Sequence, residues 1–216
     1  SCFMLTAATE SQSKVGRVAC IANGRVRYSE ARELLCASDR LCFLHQRSGW
    51  RQLDLDSLQD VGPDYDNVVL ARGDHVTVRQ GSRWGLLDSE GRSVLPVEYD
   101  SITLANPDFG TAPADVIANR GGLWGVAPLA GLRAVAVRYD AIQPLGGDLY
   151  AARAGVKWGV VRSGGGEVIA PRFESILALR GELLLVRSGG MLDLVTLDGR
   201  PVLQPSPPWL QRIHQF

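Results

Sequence analysis

The chain has 216 residues, 45% of them hydrophobic and 21% charged, with 23 basic side chains balanced by 23 acidic ones. That length can bury a sizeable core, as one domain or one continuous array. The zero net charge argues against the basic footprint of a nucleic-acid binder and of a polybasic membrane-surface protein, and no apolar run approaches the roughly 18 residues of a spanning helix.

Reading from the N-terminus, all four cysteines, Cys2, Cys20, Cys36 and Cys42, lie in the first fifth of the chain, and none follows Cys42. Their spacings match no zinc pattern. Two readings stay open, disulfides bracing the N-terminus of an exported protein and buried thiols of a cytosolic one. The first is the expectation, with Ser1–Leu5 consistent with the stub left after signal-peptide removal or with a lipoprotein-type cysteine. Residues 1–42 are expected to form a degenerate, cysteine-containing cap. Ser29–Leu35 has the composition for two helical turns, but its place before a repeat predicts an extended segment. Tyr28, ahead of Trp50, marks the degenerate unit.

From residue 43 to 204 a repeat takes over. The step from Trp50 to Trp84 equals the step from Trp124 to Trp158, and the same step taken beyond Trp158 reaches Leu192. The unit is about 34 residues long, within the range of known repeat architectures. An aromatic follows each tryptophan at one constant spacing: Tyr65, Tyr99, Tyr139 and Phe173. An acid comes next in every case: Asp66, Asp100, Asp140 and Glu174. Within a unit, Trp84–Asp88 is a short apolar run, Ser89–Gly91 a turn, and Ser93–Leu95 a second run limited by Pro96. Such short runs, regularly separated by turns, predict antiparallel β-structure. The pattern decays at Pro205–Pro208, which leaves residues 205–216 as a tail. Atypical ends are expected of a repeat array.

The segment Ser82–Ile102, with Trp84-Gly85 and Tyr99-Asp100 inside it, resembles the bacterial WG repeat, also called the KWG repeat. Val156–Val161 with Pro171–Ile176, and Leu123–Val126 with Tyr139–Ile142, are further matches. Trp50-Arg51 lacks the glycine, and Leu192-Asp193 lacks both signature residues. The resemblance implies tandem β-hairpin units, often in exported or envelope proteins, and implies no reaction. The fold expected is all-β, with five or six hairpin-based units in an open solenoid-like array rather than a closed propeller. A tryptophan buried between neighbouring units predicts a cost of about 3–5 kcal/mol for Trp158→Ala. The glycine after it bares backbone against which Tyr99 or Phe173 can lie.

Few residues suggest chemistry. A row of acids could bind calcium, but the short Gly-rich turn of such sites is missing, so an Asx turn is expected for each. His45, His75 and His214 form no metal spacing and no dyad. Gly164–Gly166 lacks the lysine of a phosphate loop, and Arg72-Gly73-Asp74 is short enough to occur by chance. No cofactor, metal site or catalytic residue is expected. The interval from Tyr99 to Trp124 is longer than the matching intervals, Tyr65 to Trp84 and Tyr139 to Trp158. The extra loop, with Asn106, Pro107, Asp108, Phe109 and Pro113, is the candidate binding element, since insertions project from one face of a repeat. The function expected is non-catalytic binding of a protein partner by a periplasmic or secreted bacterial module, such as an inhibitor or immunity protein for a secreted toxin or enzyme. The alternative is glycan or peptidoglycan binding on tryptophan platforms.

Overall fold

The structure, a computed structural model, describes residues 2–5, 16–70, 75–105, 115–130, 132 and 135–202. The described elements are all strands, so no helix among them is long and apolar enough to cross a membrane. The chain divides into two compact units, Ser1–Ile102 and Thr103–Phe216. Among the described residues the strands form open antiparallel meanders, none closed into a barrel.

In the first unit, β1 (Cys2–Leu5), β2 (Gly16–Ala22) and β3 (Arg25–Ala31) make a three-stranded sheet. A four-stranded sheet follows, of β4 (Glu33–Cys36), β5 (Leu41–Gln46), β6 (Gly49–Asp54) and β7 (Gln59–Tyr65). A second one comprises β8 (Asn67–Leu70), β9 (Val76–Gln80), β10 (Arg83–Leu87) and β11 (Ser93–Tyr99). The Ser29–Leu35 region is extended, as its place in the repeat predicts. The expected disulfides form: Cys2–Cys20 ties β1 to β2, and Cys36–Cys42 ties β4 to β5.

The second unit begins within β12 (Ser101–Ala105), which shares a sheet with β13 (Asp115–Arg120) and β14 (Leu123–Pro128). Next come β15 (Ala141–Gly146), β16 (Leu149–Ala154), β17 (Lys157–Arg162) and β18 (Glu167–Phe173) in a four-stranded sheet. The strands β19 (Ser175–Arg180), β20 (Leu183–Ser188) and β21 (Met191–Thr196) form the last sheet. A full unit is thus a four-stranded meander, two hairpins rather than one. Its first strand starts directly after the aromatic–acid pair.

Within each unit, sheets stack face to face. On β5, Leu41 and Phe43 join a cluster with Val68, Val76 and Val78 of the next sheet. The alternate residues Cys42 and Leu44 pack on Val18, Cys20 and Ala31 of the preceding one. Likewise on β16, Leu149 and Ala151 pack with Leu184 and Val186, whereas Tyr150 and Ala152 pack with Ile117 and Val126. The side-chain period of two explains why these second strands read as unbroken apolar runs: both faces are buried.

Candidate functional site

The repeat signature builds a scaffold. Three tryptophans on third strands sit opposite the buried aromatic of the fourth, Trp50–Tyr65, Trp84–Tyr99 and Trp158–Phe173, and Trp124 makes the same pair with Tyr139 through an isolated bridge. The deepest ring is the second one. Tyr65, Tyr99, Tyr139 and Phe173 are all buried, whereas among the four indoles of the repeat Trp50 is buried and Trp84, Trp124 and Trp158 are half-buried. Leu192 occupies the tryptophan place in the last sheet and is buried. On the second-strand side the indoles meet cations or a ring. The Arg79 and Arg153 guanidiniums lie 5.7 and 5.9 Å from Trp84 and Trp158, and His45 stacks on Trp50 at 4.8 Å. The indoles are therefore lids over the core, not its centre.

The glycine after the tryptophan is explained by backbone, not by an aromatic. Opposite it the fourth strand bulges: pairing shifts between Trp158–Phe173 and Val160–Ile169. The bulge crosses the glycine so closely that a Cβ at Gly159 would stand 2.3 Å from the Ile169 carbonyl oxygen and 2.7 Å from Pro171 N. A Cβ at Gly125 would meet the Ala136 oxygen at 2.3 Å. Pro171 and Pro96 sit in bulges because the ladder is broken there and no amide is needed. Where Arg51 replaces the glycine, the facing bulge carries Gly62 with a φ of 70° beside Pro63.

Three acids of the repeat reach a later turn instead of closing an Asx turn on their own segment. Asp66 accepts from the Gly81 amide (2.5 Å), Asp140 from Gly155 (2.6 Å) and Glu174 from Gly190 (3.1 Å), each 15 or 16 residues ahead. Those glycines form the turn between second and third strands, so the acid locks the next hairpin tip. The amide after each aromatic marks the same register: Asp66 N to Arg79 O, Asp140 N to Arg153 O and Glu174 N to Arg187 O. Arg32 N to His45 O continues the series. Ala31, 1% exposed, therefore stands where the other units have their buried aromatic, and Tyr28 does not. It follows that β1, β2 and β3 hold the second, third and fourth places of a meander.

Side chains of one sheet also grip the third turn of the next. Arg27 donates to Leu58 O and pairs with Asp60. Gln52 donates to Gly91 O, Arg138 to Gly165 O and Arg172 to Gly199 O. Between β13 and the β16–β17 hairpin, buried Asp115 accepts from Tyr150 Oη (2.5 Å) and Ser163 Oγ (2.6 Å). Burial, and then Asp115, push the Tyr150 phenol well above its ordinary pKa. Both hydroxyls are thus tied to one buried carboxylate, which links the two sheets.

Among the described residues no His/Cys/Asp/Glu group is placed to hold a metal ion. His45 faces Glu33 at 3.9 Å, His75 lies just before β9, and His214 is outside the described residues. The proposed binding loop, Asn106 to Pro113, also lies outside them, as do residues 205–216. The feature that sequence reasoning missed is on the first sheet. Its inner face packs on β5 and β6, whereas Ile21 and Val26, directly paired, and Tyr28 share the outer face at 46%, 50% and 66% exposure. A signal existed: both strands alternate, but with apolar residues on each face. Behind β3, a pocket of about 380 Å³ is lined by Ser29, Arg32, Gln46 and Arg47.

The family model for the WG-containing repeat matches residues 84–104 and 158–191. No curated protein matches the chain. Among solved structures, Hsv2p of Kluyveromyces lactis is 14% identical, over 100% of this chain and 75% of its own, with a TM-score of 0.34. Its form with loop 6CD replaced by a Gly-Ser linker is 10% identical over 78% of this chain and 63% of its own, with a TM-score of 0.38. PorZ, a surface component of the type-IX secretion system of Porphyromonas gingivalis, is 11% identical over 88% of this chain and 31% of its own, with a TM-score of 0.32. Likenesses at this level carry no functional argument.

Proposed function

Because this chain carries WG-containing repeats, we propose that it is a non-catalytic module that binds a protein partner, exported to the bacterial envelope. The observation that carries this reading is the outer face of the first sheet, where Ile21, Val26 and Tyr28 stand in water on a sheet that a disulfide braces. Three large apolar side chains exposed together on one sheet face make a docking patch for a partner. Export is supported by the two disulfides, which persist in oxidising compartments. Inhibition of a secreted toxin or enzyme, as an immunity protein does, is the finer form of the same proposal. A glycan platform would need open indole faces, and one face each of Trp50, Trp84 and Trp158 is taken by His45, Arg79 and Arg153.

The test is capture of a protein from the envelope fraction by the oxidised chain and by its Val26→Glu/Tyr28→Glu variant. Both positions are exposed, so the variant should melt like the parent while retaining about tenfold less partner or worse, as loss of an aromatic anchor predicts. Equal capture by the two proteins would remove the face from the interaction. Phe109→Ala tests the 106–114 insertion as a second contact in the same assay.

A further inference from the structure

One junction between sheets departs from the lock that three others share. In those three an acid at the end of one sheet takes the amide of a glycine at the hairpin tip of the next: Asp66 with Gly81, Asp140 with Gly155 and Glu174 with Gly190. At the junction between β3 and the β5–β6 hairpin, the bond from Arg32 N to His45 O fixes the same register. It puts Arg32 in the place of the acid. Arg47 lies as far ahead of it as Gly81 lies ahead of Asp66, and so holds the place of the glycine. The carboxylate and its glycine partner are therefore both replaced by cations, at two positions that the other junctions bring into contact. Both arginines are exposed, and they line one pocket of about 380 Å³. Ser29, Gln46, Ser48 and Glu30 supply more of its polar lining, so its described charges are two positive and one negative. Guanidiniums held side by side repel each other unless an anion joins them. The pocket also borders the apolar outer face of the first sheet, because Val26, Tyr28 and Glu30 alternate outward along β3.

We propose that the Arg32–Arg47 pocket binds one carboxylate of a partner polypeptide, an Asp or Glu side chain that takes the place of the acid that Arg32 replaces. The proposal rests on the protein-binding role and adds a charged contact to it. Two guanidiniums can fork around a single carboxylate with charge-assisted hydrogen bonds, the usual way in which arginine clusters read acidic motifs. The Ser29 and Ser48 hydroxyls in the same lining can donate as well. Glu30 sets the limit on the ligand. Its carboxylate repels a second negative charge, so a lone acid among neutral residues is held better than a phosphate dianion or a run of acids. The partner segment thus combines an apolar contact on Val26 and Tyr28 with one acid next to it. The arginines are exposed, so salt screens the attraction.

The experiment titrates the full oxidised chain with the peptide acetyl-Gly-Asp-Gly-amide and follows the backbone amides of Arg32, Arg47 and Ser48 by NMR. The Asp peptide should shift them saturably, and the Asn counterpart should bind about tenfold more weakly or worse, the loss of a charge-assisted contact. The Arg32→Ala/Arg47→Ala variant changes two exposed side chains, so it should melt like the parent and bind the Asp peptide about tenfold more weakly. Arg32→Asp/Arg47→Gly installs the lock of the other junctions, and should lose the peptide while its Tm rises. If a variant does not fold, the comparison of Asp with Asn peptide on the parent chain decides alone. Equal binding of the two peptides, an absence of shifts, or binding that the alanine pair leaves intact would overturn the proposal. Inorganic phosphate bound more tightly than the Asp peptide would overturn the choice of a single carboxylate. Capture of an envelope protein that the alanine pair does not weaken would keep the binding role and refute this pocket.

Discussion

Replacing Gly159 by alanine adds one methyl group where there is no room for it. Its Cβ would lie 2.3 Å from Ile169 O, 2.7 Å from Pro171 N and 2.9 Å from the Ala170 carbonyl carbon. All three are backbone atoms, so no rotamer change relieves the contact. Overpacking costs about 1–3 kcal/mol, and the upper end applies when main chain must move. Here β17 must separate from the bulge of β18, which disturbs the Trp158–Phe173 pair above it. A loss of about 3 kcal/mol is expected, or a Tm lower by about 10–20 °C in a unit of this size. The repeat supplies its own controls. Gly125→Ala should behave alike, with the Ala136 oxygen at 2.3 Å. Gly85→Ala should be milder, because its tightest neighbour is the Val97 side chain at 2.8 Å and the Leu95 oxygen is at 3.0 Å. Gly166→Ala, with nothing within 4 Å, should stay within about 0.5 kcal/mol of the parent. Urea melts followed by circular dichroism give the four values. A Gly159→Ala cost as small as that of Gly166→Ala would refute the close-approach argument.

Other perturbations separate the remaining roles. Phe173→Ala, at a buried ring, should cost about 3–5 kcal/mol, and Trp158→Ala, at a half-buried one, about 2–3 kcal/mol. The reverse order in urea melts would restore the indole as the core. Opening Cys2–Cys20, which closes a separation of 18 residues, should cost about 3 kcal/mol, against about 2 kcal/mol for Cys36–Cys42 with a separation of 6. Paired Cys→Ser variants with an unshifted first-unit midpoint would contradict this. Burial and Asp115 raise the Tyr150 pKa, so above about pH 10 the unfolded chain releases a proton that the folded chain keeps. Stability from this group is complete below that pH and falls above it by about 1.4 kcal/mol per pH unit. Melts spanning roughly pH 9 to 11 should show this limb, and Tyr150→Phe should flatten it; an unchanged slope would assign the limb elsewhere.

What one strand needs from its own residues could be read from the chain itself. The regular step between tryptophans, the apolar runs and the turns determined an all-β repeat, because side-chain alternation and turn chemistry are local properties. The clustering of cysteines likewise pointed to paired bonds in the first unit. Which residue faces which was decided only in three dimensions. The Tyr and Phe rings went deeper than the indoles, and Tyr65, Tyr139 and Phe173 stand directly before the amides that bond to the second strand of the next sheet. The acids found glycine amides 15 residues away rather than in their own turn, and one hydrogen bond, Arg32 N to His45 O, moved the first unit's register from Tyr28 to Ala31. The outer face of the first sheet belongs to the same class, because only the assembled sheets show which apolar side chains stay exposed.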